Sequence, residues 1–305
     1  MPTRMVHKTV GKTKLCGFSL AGEETVVAAP ELNVCFDVGR APREIISIDT
    51  VCISHGHQDH AAGLAYYLSQ RNFVGNSPGR VLLHRSLAQP AQRLMDVWSE
   101  LEGHHCPGEI IAMDPGDEFV LRRDLIVRSY AVSHTAGALG YSVIEARHKL
   151  KPEYADRSGP QLVELKRQGV EIERRNEVSL ISCTGDTAAG AFLELDHVRD
   201  AELLLLECTF FDRQHVTRAR AGRHIHVCDL RDIMRTIRCP HVVLTHVTRR
   251  TDLRTAKRIL EGAVDRDDLE RLSFLMDHPR RDHHRRPART LAVGGERSPQ
   301  RGDGL

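Results

Sequence analysis

Short apolar runs separated by polar turns recur along most of the chain, and this pattern predicts a layered domain of strands and helices. The first strands form a meander, and the later ones are separated by helical stretches. The predicted strands are Leu15–Leu20, Thr25–Ala29, Val34–Val38, Val51–Ile53, Val81–His84, Glu109–Met113, Glu118–Leu121, Leu125–Val132, Val178–Cys183, Leu203–Cys208 and Val242–Thr245. The predicted helices are Ala61 to about Arg71, Gln89–Leu101, Leu162–Gln168, Val227–Ile237 and Leu253–Gly262.

Two stretches depart from this pattern. Residues 147–175 hold eight Lys or Arg and five Asp or Glu with few large apolar residues, so we expect an extended basic insertion with one short helix. A solvated insertion without a function explains the same composition. Residues 278–305 are rich in Arg, Pro and Gly and are predicted to form a disordered tail. We therefore expect a single domain over residues 1–277, with the insertion at about 147–175.

The composition is that of an ordinary globular protein. The chain has 305 residues, 41% of them hydrophobic and 28% charged, which is enough for a sizeable core. It contains no run of 18 apolar residues, and Met1–Lys14 lacks the apolar segment of a secretory signal, so we expect a cytoplasmic protein with no membrane partner. The eight cysteines form no C-x-x-C pair, which indicates reduced thiols rather than a thiolate zinc site.

The net charge of +2 is unevenly distributed. Residues 278–305 contain seven Arg against three acidic residues, a local balance of +4, which leaves −2 for residues 1–277. Charge alone therefore makes no case for nucleic-acid binding by the folded part of the chain.

The strongest chemical signal is an H-x-H-x-D-H cluster in the loop between the strand at Val51–Ile53 and the next helix. His55 and His57, at i and i+2 on extended chain, point the same way and can bind one ion together. Asp59 and His60, held by the turn into the helix, can face a second ion. Imidazole and carboxylate suit zinc and similar divalent ions. The alternative is that these are surface histidines in a chain that has 18 of them.

Three more residues that can bind a metal each follow an apolar β-type run. His134 lies in V-S-H-T, Asp186 in C-T-G-D-T and His246 in L-T-H-V-T. A single residue of this kind is more often a surface or hydrogen-bonded side chain. The recurrence of this placement at four points of the chain is what indicates a binuclear metal site.

The ordered set from His55 through His246 resembles the ligand set of the metallo-β-lactamase superfamily, and the resemblance runs over residues 15–250. It implies an α/β (α+β) fold, a four-layer αββα sandwich. It also implies two Zn²⁺ ions, with other divalent ions such as Mn²⁺ as an alternative. In the family pattern one ion is held by His55, His57, His134 and Asp186, and the other by Asp59, His60, Asp186 and His246, with Asp186 bridging.

Within the superfamily, the ribonuclease Z branch is the most similar. His246-Val-Thr248-Arg249-Arg250 is similar to its H-x-S-x-R ending, and Glu207-Cys-Thr-Phe resembles its E-[AC]-T-F element. Residues 221–226, A-G-R-H-I-H, resemble its A-x-G-H-S-T element, with Arg before the histidine and Ile-His in place of Ser-Thr. The glycine-rich substrate arm of the family is absent or much shortened.

This resemblance implies phosphodiester cleavage with named roles for several residues. Asp59 orients the attacking water or takes its proton, and His224 donates a proton to the leaving oxygen with Glu207 keeping the imidazole charged. His226 is the alternative donor, and either histidine could instead be a solvent-exposed side chain. Thr248 and Arg250 hydrogen-bond the phosphate, unless they are surface residues at the start of the last helix.

Three functions remain open at this point. The first is a ribonuclease Z-type endonuclease that cuts RNA at tRNA 3′ ends, with a tRNA precursor as its partner. The second is a hydrolase with the same metal core that acts on a small ester, lactone, sulfate or cyclic nucleotide, which the shortened arm and the acidic body favour. The third is a binding module with a dead site, which the complete set of ligand positions opposes. We also expect a homodimer.

Overall fold

The structure is a computed structural model that describes residues 5–277, so the predicted tail at 278–305 lies outside the described residues. The strands are β1 Val6–Val10, β2 Thr13–Leu20, β3 Glu24–Ala29, β4 Val34–Phe36, β5 Thr50–Cys52, β6 Gly79–His84, β7 Gly108–Met113, β8 Glu118–Arg122, β9 Leu125–Ala131, β10 Leu139–Leu150, β11 Glu173–Cys183, β12 Leu203–Glu207, β13 His241–Thr245 and β14 Leu272–Phe274. The helices are α1 Gln58–Ala61, α2 Leu64–Phe73, α3 Arg85–Glu102, α4 Gly159–Arg167, α5 Asp196–Arg199, α6 Val216–Gly222, α7 Leu230–Thr236, α8 Leu253–Ala263 and α9 Arg266–Arg271.

The strands form two seven-stranded sheets that follow the same plan. The first has the order β1-β2-β3-β4-β5-β6-β7, and the second β14-β13-β12-β11-β10-β9-β8. Each begins as an antiparallel meander and continues with parallel strands, β4–β7 in the first sheet and β11–β14 in the second. Because the parallel strands of one sheet end at one edge, the loops after them gather there.

Three buried clusters show how the layers stack. One cluster joins the two sheets and contains Phe36 and Leu82 from the first and Tyr141 and Leu205 from the second. The other two lie outside the sheets, where α2 and α3 pack on the first sheet and α7 and α8 on the second. The predicted αββα sandwich is confirmed. Among residues 5–277, the structure contains no helix whose length and apolar character would allow it to span a membrane.

Several predicted boundaries were wrong. The helix predicted from Ala61 to Arg71 is divided into α1 and α2 at Gly63, whose N–H donates to the carbonyl of Gly39 at 2.7 Å. Helix α3 starts at Arg85 rather than Gln89 because the ring of His84 accepts a hydrogen bond from the backbone of Ser86 and caps the first turn. The elements β1, β14, α5, α6 and α9 were not predicted from the apolar pattern, since each is short and has few buried residues or none, and strand β10 was not predicted from it either.

Residues 147–175, where an extended insertion with one short helix was expected, form a hairpin that contains the α-helix α4. Strands β10 and β11 remain paired from Arg147↔Asn176 to Leu150↔Glu173, beyond the ends of their other neighbours, β9 and β12. Helix α4 lies between them and begins at Gly159 instead of Leu162. The outer part of β11 has no buried face, which removes the alternation that would have revealed it. We call residues 147–175 the projecting hairpin.

Candidate metal centre

Four strand ends deliver the residues of the predicted metal site to one edge of the sandwich. The segment after β5 carries His55 and His57 and leads into α1. His134 follows β9, Asp186 follows β11, and His246 directly follows β13. The structure thus brings together residues that lie up to 191 positions apart, from the first sheet and the second.

The potential ligand atoms fall into two adjoining groups. One comprises His55, His57, His134 and Asp186, and the other Asp59, His60 and His246; within each group the atoms lie within 4.8 Å of one another. Asp186 lies between the groups. Its Oδ2 is 3.2 Å from Nε2 of His246, 3.4 Å from that of His60, and 3.9 Å from those of His55 and His134.

The chemistry of this donor set fits divalent cations. Oδ1 of Asp186 is buried and has no hydrogen-bond partner among residues 5–277. Burial alone would raise the pKa of Asp186, but His246 and His60 hold that pKa well below its usual value. Burial and the neighbouring His60 lower the pKa of His55 to about 2. An ionised carboxylate and imidazole rings that release their protons on metal binding are the donors that zinc and related ions prefer.

The buried carboxylate of Asp37 fixes the Nδ1 atoms of two histidines that follow β5, one directly and one through Ser54. It accepts a hydrogen bond at 2.7 Å from the backbone N–H of Ser54 and one at 2.9 Å from its hydroxyl. Nδ1 of His60 lies 2.7 Å from Oδ2 of Asp37, and Nδ1 of His55 lies 3.0 Å from Oγ of Ser54. These contacts orient both rings so that Nε2 points toward Asp186.

The histidines from the second sheet are fixed in the same manner. Nδ1 of His246 lies 2.9 Å from Oγ1 of Thr209, and Nδ1 of His134 lies 3.4 Å from the carbonyl oxygen of Arg223. The guanidinium of Arg223 donates to the carbonyl of His134 at 2.8 Å. Each ring therefore presents its Nε2 to the shared space.

Backbone groups fix the loops at the site, within the first sheet and between the two sheets. His246 adopts a left-handed conformation, with φ of 58°, and its N–H donates to Oγ of Ser19 on β2 at 2.8 Å. The N–H of Gly22 donates to Oδ2 of Asp59, also at 2.8 Å. Gly185 has φ of 57°, and a Cβ at this position would lie 2.5 Å from that of Ser54. Glycine is thus required directly before Asp186.

His224 and Glu207 form a pair beside the metal ligands. Nδ1 of His224 lies 2.8 Å from Oε1 of Glu207, which is buried and also accepts hydrogen bonds from the backbone of Thr187 and the hydroxyl of Thr209. Burial alone would lower the pKa of His224, but the hydrogen bond and charge of Glu207 raise it above its usual value. The ring of His224 stacks on that of His246 at 5.4 Å, so it reaches the centre and itself lies within ligand range.

His226, the alternative proton donor, is not brought to the centre. It is buried; Nε2 lies 2.9 Å from the carbonyl oxygen of Asp212, and Nδ1 accepts a hydrogen bond from the N–H of Cys228 at 3.1 Å. Both ring nitrogens thus take part in local structure.

A cavity of about 310 Å³ opens over the two donor groups. Thr248 and Arg250, the predicted phosphate-binding residues, both line it, together with His224. The N–H of Thr248 donates to the carbonyl of Thr209 at 3.0 Å, which fixes the wall that carries it. Both predicted residues therefore lie where they can contact a phosphate beside the metal ligands.

Sequence reasoning missed four residues of this site. Asp37 directly follows β4, which ends at Phe36 rather than at the predicted Val38, so the rule that identified the ligands finds it only with the correct strand end. Thr209 lies two positions beyond β12 in the element that carries Glu207. Arg218, which lines the cavity, and Arg223, which holds His134, carry no local signal because both are exposed arginines in a polar stretch.

Comparison with known proteins places these observations in context. A family model described as a beta-lactamase superfamily domain matches residues 16–247. A tRNase Z of Arabidopsis thaliana is 31% identical over 237 residues, which cover 77% of this chain and 85% of that relative. A nuclear ribonuclease Z of Triticum aestivum is 35% identical over 156 residues, which cover 51% of this chain and 89% of that relative.

Solved structures share the fold at low sequence identity. The short form of human tRNase Z aligns with a TM-score of 0.51 and 17% identity, covering 80% of this chain and 88% of that one. The metallo-β-lactamase fold protein YhfI from Bacillus subtilis aligns with a TM-score of 0.56 and 14% identity, covering 84% and 92%. These alignments show the architecture.

Proposed function

The chain belongs to the ribonuclease Z branch of the metallo-β-lactamase superfamily and is therefore a metal-dependent hydrolase; from this premise we propose that it is an endoribonuclease that cleaves precursor tRNA at its 3′ end. One observation carries the proposal: Oδ2 of Asp186 lies within 3.9 Å of four imidazoles, beside a cavity that contains Thr248 and Arg250. The residues at the centre supply the chemistry of phosphodiester hydrolysis, and those at the cavity wall supply phosphate binding.

We propose that two Zn²⁺ ions occupy the two donor groups, with Asp186 shared between them. Two such ions lower the pKa of a water toward neutrality and neutralise negative charge on the phosphodiester. His55, His57, His134 and Asp186 would hold one ion, and Asp59, His60 and His246 would hold the other together with Asp186, whose Oδ2 lies 3.4 Å from Nε2 of His60 and 3.2 Å from that of His246.

The side chains around the centre have distinct proposed roles. Oδ2 of Asp59 is held by the N–H of Gly22 and lies 3.4 Å from Nε2 of His246, a position from which it orients the attacking water. Protonated His224 donates its proton to the leaving oxygen. Glu207 is a positioning residue, since it acts through Nδ1 of His224 rather than on the substrate.

Thr248 and Arg250 are proposed to bind the phosphate. A hydroxyl and a guanidinium that line one cavity provide donors for two phosphate oxygens. Arg218 lines the same cavity and adds a third donor.

We also propose a homodimer, with helix α3 at its interface. Leu94, Val97, Trp98 and Leu101 follow one face of α3 at i, i+3, i+4 and i+7, and all four are exposed. Tyr66 on α2 is likewise exposed. An apolar stripe of this kind can pack against its own copy across a two-fold axis. Light scattering of Trp98→Glu tests whether the stripe forms the dimer interface.

A cytoplasmic location and a single domain over residues 1–277 remain predictions.

The decisive experiment is a parallel assay of the zinc-loaded protein on two substrates. One is a precursor tRNA with a 3′ extension, and the other is bis-p-nitrophenyl phosphate. Cleavage of both, with the tRNA cut at one position, is the expected result. Hydrolysis of the small diester alone would replace the proposed function with that of a small-molecule hydrolase.

A further inference from the structure

A second concavity, of about 870 Å³, adjoins the cavity over the metal centre. It lies between α8 and the start of α7, and four arginines line it: Arg213, Arg231, Arg250 and Arg258. We call it the arginine groove. Arg250 lines both spaces, so the groove continues directly from the place proposed for the scissile phosphate.

The groove offers positive charge that the protein leaves unneutralised. Arg213, Arg250 and Arg258 are exposed, and none of their guanidinium groups has a hydrogen-bond or ion-pair partner in the part of the chain that the structure describes. Guanidinium groups of this kind are available to phosphate oxygens.

The carboxylates that line the groove are engaged elsewhere. Asp212 accepts a hydrogen bond from the N–H of Gln214 at 2.9 Å, and Asp252 accepts one from the N–H of Thr255 at 3.0 Å, so both cap helices. Asp232 lies 3.8 Å from the guanidinium of Arg235. These contacts hold the three carboxylates in place but leave their charge in the groove, so its lining has four guanidinium groups against three carboxylates.

The groove also has apolar walls, which restrict the chemical class of ligand that it can bind. Phe211, Val227, Ile259 and Ala263 line it among the polar groups. A nucleotide combines an apolar base face with a phosphate, so it matches such a surface. In a duplex the base faces are stacked inside, whereas a single strand can turn them toward protein side chains.

We propose that the arginine groove binds the single-stranded 3′ extension of the RNA substrate, with Arg213 and Arg258 on its phosphates. The inference rests on the proposed function, because it assigns this strand a place next to the bond that is cut. It names the part of the substrate that the protein reads beyond the scissile phosphate.

The first test measures kcat/KM on precursor tRNAs with one-nucleotide and ten-nucleotide extensions. The double variant Arg213→Ala/Arg258→Ala is expected to lose about tenfold on the long extension and less than about twofold on the short one. Arg254→Ala is the matched control, since Arg254 is exposed on the same helix as Arg258 but does not line the groove. Equal losses on both extensions would overturn the proposal.

The second test measures binding of a fluorescent ten-nucleotide RNA by anisotropy across a salt series. Each phosphate contact to a single strand contributes about 0.7 to the slope of log K against log salt, so the double variant should lower that slope by about 1.4. Arg213→Lys/Arg258→Lys should retain the slope, which a merely structural role would not require. An unchanged slope and affinity in the alanine variant would refute the groove as an RNA site.

The two tests also separate this inference from the proposed function. A wild-type protein that binds the ten-nucleotide RNA through these arginines but does not cleave precursor tRNA supports a single-strand site and rejects the tRNA activity. A wild-type protein that cleaves precursor tRNA equally well with either extension supports the activity and rejects the groove.

Discussion

The projecting hairpin and the arginine groove are both rich in cationic side chains, but their charges have different neighbours. In the hairpin, five of the eight Lys and Arg side chains form ion pairs: Arg147–Glu145, Lys151–Glu171, Lys166–Glu173, Arg167–Glu164 and Arg175–Glu118. In the groove, the guanidinium groups of three of the four arginines have no partner among residues 5–277. A basic composition therefore does not by itself identify the surface that meets a polyanion. That surface is identified by the charged groups that have no partner within the protein.

The largest expected effect tests whether one metal centre serves all substrates. Asp186→Ala should lower the hydrolysis rate of precursor tRNA and of bis-p-nitrophenyl phosphate by more than about 10³-fold. This decrease exceeds the effect of removing one transition-state hydrogen-bond donor, because the variant loses the carboxylate that we propose is shared by both donor groups. Bound metal, measured by plasma mass spectrometry, should fall with it. Asp156→Ala, at an exposed position of the hairpin, is the control. Retention of metal and activity by Asp186→Ala would reject the centre.

The next effect separates chemistry from RNA binding. His224→Ala should lower kcat on precursor tRNA by about 10²–10⁴-fold, the usual contribution of a general acid, with the metal content unchanged. The loss on bis-p-nitrophenyl phosphate should be smaller, since p-nitrophenolate leaves without a proton. Unlike the groove variants, His224→Ala should affect substrates with short and long extensions alike. Equal losses on the two leaving groups would argue against proton donation.

Shortening the hairpin should have a smaller effect on kcat/KM, and it tests the contrast between the projecting hairpin and the arginine groove. Replacing residues 152–171 by Asn-Gly would join Lys151 and Ile172, which already meet through a 2.9 Å backbone hydrogen bond. Because exposed ion pairs contribute little and most of the cations of the hairpin are paired, kcat/KM on precursor tRNA should change by less than about fivefold. A loss larger than that of the groove double variant would move the main RNA contact to the hairpin.

The smallest expected effect is on the free energy of unfolding, and it comes from the charges at the base of the hairpin. Burial and then the charge of Arg128 lower the pKa of His197 to about 4, below its ordinary value of 6.5. The unfolded chain thus binds more protons between about pH 4 and 6.5, so the stabilising effect is complete above pH 6.5 and is lost as the pH falls through this window. The urea midpoint of His197→Gln should therefore fall less between pH 7.5 and 5 than that of the wild type. An identical decrease in both proteins would exclude His197 as a contributor.

The apolar pattern predicted a layered domain of strands and helices and the placement of the proposed ligands at strand ends, whereas the αββα sandwich was implied by the family resemblance. His134, Asp186 and His246 each follow a strong apolar run, and parallel strands carry such residues to one edge. Asp37 obeys the same rule, but only when β4 ends at Phe36.

The remainder depends on contacts between distant segments, which local patterns do not contain. The pairing of His224 with Glu207 was implied only by the family resemblance, because it requires the loop after α6 to return to the end of β12. The arginine groove arises where α8 approaches the start of α7, and its free guanidinium groups are recognisable only once every nearby carboxylate has been assigned a partner. The hairpin escaped prediction because its outer strand has two exposed faces.

The contact between His246 and Ser19 also has a consequence for biosynthesis. The proposed ligands extend from His55 to His246, and the last of them is fixed by a hydroxyl near the start of the chain. Nearly all strands of the second sheet must therefore have left the ribosome before the last proposed ligand can reach the others. The proposed metal centre thus cannot assemble on a partly synthesised chain that still lacks His246.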